Sequence, residues 1–310
     1  MLAEKTLGKV RPQSITFPSA VEIFLAEKTK ARRAGTVANL KQRLERHFPF
    51  KGQLADISHQ DIARKLTRIK SNSEHDHALA VAKTFFNWCH NRRYITDSPV
   101  RGLSPHGHTA RSRVLADAEI KQVWDACDDE TNEAPPPFLT IVKLLIATGQ
   151  RRGEIGALRT SYIEGDITTL PATLTKNNRQ HLFPNSALAA DILRGVEVTG
   201  NDAIFFPARG KPNKPFNGWS KAKAQLDAKI TERNAGVPLP RWTLHDLRRT
   251  FATRLAEMGT PIHVVEKLLN HISGTTGGLV AVYNKAQYWD EQVAAISKWN
   301  DRLFQLLEKP

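Results

Sequence analysis

From about Pro18 to Leu103, apolar residues recur at the three- and four-residue spacing of amphipathic helices. Val21, Phe24 and Leu25 open one stretch, and Val37, Leu40, Leu44 and Phe48 carry a second. Asp61 to Ile69 makes a third; Leu79 to Trp88, dense in alanine and aromatics, makes a fourth. Ser98-Pro99 closes this block. Pro105 to Arg113 is basic, poor in apolar residues, and reads as a linker. Beyond it, Ile120, Val123, Trp124 and Cys127 share one face of a helix opening near Ala116. After Pro135-Pro136-Pro137, the run from Phe138 to Thr148 is apolar on nearly every side, the pattern of a buried helix.

The period changes between Ile163 and Pro184. Ile167, Leu170, Ala172 and Leu174 alternate, a polar turn follows at Asn177-Asn178, and His181-Leu182-Phe183 continues, which predicts a short β-meander. Helices then return. Thr243 opens one as a capping box with Asp246, and Gly259 ends it. Thr260-Pro261 starts the next, with proline in the first helical position, running to about Asn270. Ser273 to Gly278 reads as a flexible connection before two last helices, Leu279 to Gln287 and Glu291 to Leu307. Val293, Ile296, Trp299, Leu303 and Leu306 form an apolar stripe on the last of these. The expected fold class is mainly α with a small β-meander. Residues 1–17 lack strong periodicity and are expected to be a flexible arm.

A chain of 310 residues accommodates two domains. The expected division is a helical domain at 18–104, a linker at 105–113, and a second domain at 114–310. Composition excludes several classes. No run approaches the ~20 apolar residues of a membrane helix, and the N-terminus lacks the apolar core of a secretory signal. The two cysteines, Cys89 and Cys127, form no CxxC pair, so neither a disulfide framework nor a zinc site is indicated. A reduced cytoplasmic setting is the expectation.

Charge adds a partner class. The net charge of +14 points to a polyanion. Residues 1–105 hold 19 Lys+Arg against 9 Asp+Glu, and the remainder 26 against 22, so +10 of the +14 lies in the first third. Arg32-Arg33, Arg43, Arg46, Lys65, Arg68, Lys70 and Arg92-Arg93 fall between the apolar positions there, as a solvated face or as one that tracks phosphates.

The candidate chemistry lies in the second domain. Arg151 follows Thr148-Gly149, where the buried helix stops, and so projects from a fixed backbone; Glu154 is near enough to orient it. His245 and Arg248 are three residues apart, hence on one helical face, close to a helix N-terminus that favours an anion. Lys176 sits in the predicted β-turn, and His271 closes the apolar helix of Val264, Val265, Leu268 and Leu269. Tyr283 is one of four tyrosines, with Tyr94, Tyr162 and Tyr288. Each piece alone has an ordinary structural explanation. The ordered set does not.

That set resembles the tyrosine recombinase (phage integrase) family, as in bacteriophage and genomic-island integrases. The family carries an arginine in Thr-Gly-x-Arg-x-x-Glu, a lysine on a β-hairpin, His-x-x-Arg, a further His or Trp, and a tyrosine. Here these match Arg151, Lys176, His245 and Arg248, His271, and Tyr283, with Glu154 in support. Flanking text agrees at 174–184, at His245 to Thr253 and at Leu268 to His271, where Asn270 stands in place of the glycine of many relatives. Phe85-Phe86-Asn87-Trp88 and Ser98-Pro99 resemble the family's core-binding domain. Residues 1–17 are too few for the arm-site domain of many island integrases.

The resemblance implies a site-specific DNA recombinase, cutting and rejoining through a 3′-phosphotyrosyl intermediate for integration or excision of mobile DNA. It implies no cofactor and no metal, with Tyr283 as nucleophile. Implied partners are double-stranded DNA with inverted half-sites, a homo-tetramer in the synapse, and accessory DNA-bending or directionality factors. The last helix is expected to pack on an adjacent protomer there. A type IB-like topoisomerase and a catalytically silent DNA-binding protein of the same fold are the alternatives.

Overall fold

The computed structural model describes residues 14–107, 112–200, 202–271 and 287–308. It divides into two compact units, 1–111 and 112–310, each with its own apolar core.

The first unit is helical: α1 (Phe17–Ala31), α2 (Ala34–His47), α3 (His59–Thr67) and α4 (Asn72–Asn91). Its core is aromatic. Phe85 of α4 meets Phe17 and Phe24 of α1 edge-on, at centroid distances of 5.2 and 5.4 Å, the orientation in which ring edges face ring π-clouds. The start of α3 is fixed by a capping box, Ser58 with Asp61. Residues 14–17, placed in the expected arm, belong to the unit instead. Leu54 N–H donates to Ile15 O at 2.9 Å, Thr16 bridges Gln53, and Phe17 begins α1 with its ring in the core; residues 1–13 lie outside the described residues. The other end of the unit is tied down by Asp76 of α4, whose carboxylate accepts from His106 N–H at 2.8 Å and Gly107 N–H at 3.2 Å. His75 and His106 flank that carboxylate, but its oxygens already serve backbone amides, so the trio is an anchor for the outgoing chain.

The second unit is mainly helical, with two small sheets. In chain order its early elements are α5 (Asp117–Asp128), α6 (Pro136–Thr148) and the short α7 (Arg152–Ile155). A three-stranded antiparallel sheet of β1 (Ile163–Glu164), β2 (Ile167–Leu170) and β3 (His181–Pro184) follows, in that order. Then come α8 (Ala187–Arg194), the hairpin β4 (Pro207–Ala208) and β5 (Lys211–Pro215), α9 (Trp219–Arg233), α10 (Leu244–Glu257), α11 (Ile262–Leu268) and a C-terminal helix (Trp289–Leu307). The meander is shorter than its alternation suggested: β2 stops at Leu170, and residues 171–180 form a turn-rich extension between β2 and β3. Pro261 caps α11 from just outside it.

Helix α6 is buried at every residue from Leu144 to Thr148. Gly149 ends it at φ 64°, a conformation glycine adopts without the steric cost of a Cβ. The position is doubly selective, because any Cβ would collide with the Phe251 ring of α10. The capping box of α10 is present, with Thr243 N–H and hydroxyl both donating to Asp246 at 2.8 Å. The Gly149–Phe251 contact therefore sets how closely the chain leaving α6 passes α10.

The C-terminal helix does not pack as expected. Its apolar stripe folds back on its own domain, against α5, α6, α10, α11 and β3. Ala295, Ile296, Trp299 and Leu303 are buried, and Trp299 Nε1–H donates to Ile146 O in α6 at 2.9 Å. A stripe that wide finds its largest apolar partner in the α6 core of the same chain; only Val293 and Phe304 on its outer side remain exposed. Trp299→Ala should therefore destabilise the isolated monomer by about 3–5 kcal/mol, the usual cost of emptying a buried aromatic site. Denaturant unfolding at low protein concentration reads this directly. A loss under about 1 kcal/mol would place the indole at an intermolecular contact instead.

Candidate active site

Three backbone carbonyls at the end of α11 organise the site. The last carbonyls of a helix have no partner within it; here Leu268, Leu269 and Asn270 offer theirs to side chains from elsewhere. Leu268 O accepts from Gln150 Nε2 at 2.8 Å. Leu269 O accepts from Arg248 Nη2. Asn270 O accepts from Arg151 Nη2 at 3.2 Å.

Each arginine has a second anchor. Arg248, 3% exposed, reaches Gly149 O with Nη1 at 3.1 Å. Arg151 donates from Nη1 to Glu154 Oε1 at 3.0 Å, and Glu154 is itself buried. The pairing holds the Arg151 fork by both ends. Both guanidiniums are thus fixed before any ligand arrives, with side-chain entropy already spent in folding. Burial, and then the neighbouring Arg151, push Arg248 down to about 9, still cationic at neutral pH. Two cations near one carboxylate leave the site with net positive charge.

The histidines are the neutral components. Burial, then Arg248 and Arg151, push His271 down to about 4. His245, on α10 one turn before Arg248, is likewise held below the ordinary histidine value by burial first and then by Arg249 and Arg248. Arg151 and Arg248 meet on the neighbouring carbonyls of Asn270 and Leu269, His245 lies one turn from Arg248 on α10, and His271 follows Asn270, which brings these four sequence-predicted residues together. Lys176 is exposed in the extension between β2 and β3. Tyr283 lies outside the described residues. Tyr288, the next tyrosine, is half-buried against His263 at a ring distance of 4.5 Å.

Sequence reasoning missed the layer beneath. His181 on β3 is buried, with Nε2 3.2 Å from Gln150 Oε1. Burial, then the two arginines, drive it down to about 3, so it stays neutral and adds no third positive charge. Its signal was the inward parity it shares with Phe183 on an alternating strand. Asn177 and Asn270 were also passed over, although they join the lysine turn to the end of α11.

In the first unit, Arg46, Lys65, Arg68 and Lys70 line a groove of about 470 Å³. Arg43 and Arg92 are less available to an outside anion. Arg43 makes a bidentate pair with Glu74 at 3.1 and 3.2 Å, and Arg92 pairs with Glu27 at 2.6 Å. No helix among the described residues is long and apolar enough to cross a membrane.

The sequence model of the phage integrase family matches residues 113–288. The chain belongs to that family. It is 28% identical over 211 residues to the tyrosine recombinase XerD of Ralstonia nicotianae, a match covering 63% of this chain and 64% of that relative. The chain thus spans just under two thirds of that relative's length. Solved structures share the fold: a lambda integrase dimer bound to a COC′ core site aligns over 87% of this chain and 77% of that one, at TM-score 0.65 and 18% identity. A lambda integrase tetramer bound to a Holliday junction aligns over 86% and 80%, also at TM-score 0.65 and 18% identity. The paired arginines, held by backbone carbonyls, and the histidines kept neutral beside them make a fixed cationic site.

The lowered histidine predicts a pH profile. A base must be neutral to accept a proton, and lowering its pKa extends the neutral form to more acidic solution. Were His245 to act as a base in a DNA-cleaving reaction, kcat/KM, which reports groups of the free enzyme, should stay level through the ordinary histidine value of 6.5 and fall only below it. A decline centred at or above that value would contradict the environment assigned to His245.

Proposed function

We propose that the protein is a site-specific DNA recombinase that breaks and rejoins DNA without a metal, through a covalent link to Tyr283. The observation that carries this reading is the anchoring of Arg151 and Arg248 on adjacent carbonyls at the end of α11, beside two neutral histidines. Such an arrangement suits a phosphodiester whose non-bridging oxygens gain charge in the transition state.

In the proposed step, Tyr283 Oη attacks phosphorus and its proton passes to His245. The P–O5′ bond breaks as the P–Oη bond forms, and Lys176 gives a proton to the departing O5′. Arg151 and Arg248 hold the non-bridging oxygens, His271 hydrogen-bonds one of them, and Glu154 keeps Arg151 oriented. The phosphotyrosine conserves the bond, so a second 5′-hydroxyl can reverse the exchange without ATP. No resident cofactor is required. The first unit, as a core-binding domain, would add phosphate contacts through Arg46, Lys65, Arg68 and Lys70.

Exchange between two duplexes calls for four protomers on paired inverted half-sites, and the lambda tetramer on a Holliday junction is the precedent for that partner set. Integration or excision of mobile DNA is the expected setting, with accessory bending or directionality factors. The relatives at hand are recombinases and integrases, which favours this reading over a topoisomerase or a silent DNA-binding protein.

A nicked suicide duplex carrying the target site tests the proposal. The wild-type chain should form a denaturant-resistant DNA adduct in the presence of EDTA. Tyr283→Phe should form none while binding the duplex within a few-fold of wild type, because one hydroxyl is lost and no phosphate contact. An adduct in the Phe variant would move the nucleophile elsewhere, with Tyr288 next in line. A strict need for Mg²⁺ would overturn the metal-free assignment.

A further inference from the structure

Lys176 presents a positional difficulty. A general acid must sit within hydrogen-bond reach of the atom it protonates, yet Lys176 is exposed on residues 171–180, beyond the last β2–β3 pair at Leu170 and His181. No sheet hydrogen bond fixes its position. The extension is stiffened internally by Thr175, whose buried hydroxyl donates to Arg179 O at 2.5 Å and accepts from Arg179 N–H at 3.2 Å. That staple shapes the turn without saying where it points.

A second set of bonds does. Asn177, the residue after the lysine, donates from Nδ2 to Asn270 O at 3.0 Å and to Asn270 Oδ1 at 2.8 Å. Asn270 answers from its own Nδ2 to Asn177 Oδ1 at 3.2 Å. The two amides thus pair in both directions across 93 positions of sequence. Asn270 O is also the acceptor for Arg151 Nη2 at 3.2 Å. One carbonyl therefore references both the lysine turn and a phosphate-clamping arginine.

The residue type at 270 fits this use. Asn270 has φ 48°, a left-handed conformation that glycine takes freely and asparagine tolerates better than most residues. Glycine would satisfy the backbone but could not supply the returning amide. We propose that the Asn177–Asn270 amide pair is a positioning device that holds Lys176 in register with Arg151, so that its ammonium reaches the leaving oxygen. This rests on the reading of Lys176 as the general acid.

The test compares two leaving groups. In a suicide duplex whose scissile bond has a 5′-bridging sulfur, the departing thiolate is far more stable than an alkoxide and needs no acid. Single-turnover adduct formation would be measured on the oxygen and sulfur duplexes for the full-length wild type, K176A, N177A and N270G. General acids contribute roughly 10²–10⁴-fold, and a displacement of about 1 Å can cost ~10²-fold. K176A should lose at least ~10²-fold on oxygen and come within a few-fold of wild type on sulfur. N177A and N270G should each lose at least ~10-fold on oxygen, with near-complete recovery on sulfur. Adding N177A to K176A should cost nothing further, since both act through one proton.

N270G guards against simple misfolding, because glycine accepts the backbone angle. Equal losses of N177A and N270G on both duplexes would show a merely structural role and overturn the proposal. So would oxygen rates within two-fold of wild type. If K176A itself is not rescued by sulfur, the acid assignment falls and the tether with it, a result distinguishable from failure of the tether alone.

Discussion

The placement of Arg151, Arg248 and the lysine turn in the second unit depends on the unspent carbonyls at the end of α11. A seven-residue helix leaves its last acceptors with no intrahelical donor, and buried acceptors without partners are costly. Here Gln150, Arg248, Arg151 and Asn177 are those partners. Stability of the domain and placement of the site are thereby one requirement. The α6 terminus, α10 and the lysine turn converge because each sends a donor to the same short stretch of backbone.

The electrostatics follow from that convergence. Two guanidiniums are drawn together by carbonyl dipoles, with a single buried carboxylate, Glu154, to offset them. Their field, added to burial, keeps His181, His245 and His271 neutral. The charge is therefore concentrated on groups that cannot titrate away near neutrality, while His245, the base of the proposed step, is left in the form that accepts a proton. Two fixed guanidiniums against one paired carboxylate suit an anion, such as the phosphate of the proposed reaction.

Much of this was legible in the chain. The nearly all-apolar run ending at Thr148-Gly149 signalled a buried helix with a fixed exit, and the structure adds why glycine is required there: its left-handed angle and the Phe251 ring. Thr243 and Asp246 announced the start of α10, which put His245 and Arg248 on one face. Other features had no local signal. The β4–β5 hairpin contains Pro207, Pro212 and Pro215, and all five residues of β5 are exposed, so no apolar alternation marked it. The stripe on the last helix was visible, but periodicity cannot name the surface it covers. Asn177 and Asn270 are polar residues in turns, and only their meeting across the fold gives them a role. His245 and Arg248 were readable as a pair; the carbonyls that hold Arg248 belong to backbone, which no side-chain motif encodes.

In the proposed reaction Arg248 acts through a planar fork that spans two carbonyls, Gly149 O and Leu269 O, and holds the phosphate from that fixed position. Lysine keeps the charge but cannot span both acceptors. Single-turnover cleavage by Arg248→Lys, measured alongside DNA affinity, tests this most directly. The rate should fall by about 10²-fold or more, as when a preorganised donor is lost, with affinity within a few-fold of wild type. A lysine variant that cleaves within a few-fold of the wild-type rate would show that charge alone suffices, and that the carbonyl anchoring at the end of α11 is incidental to the chemistry.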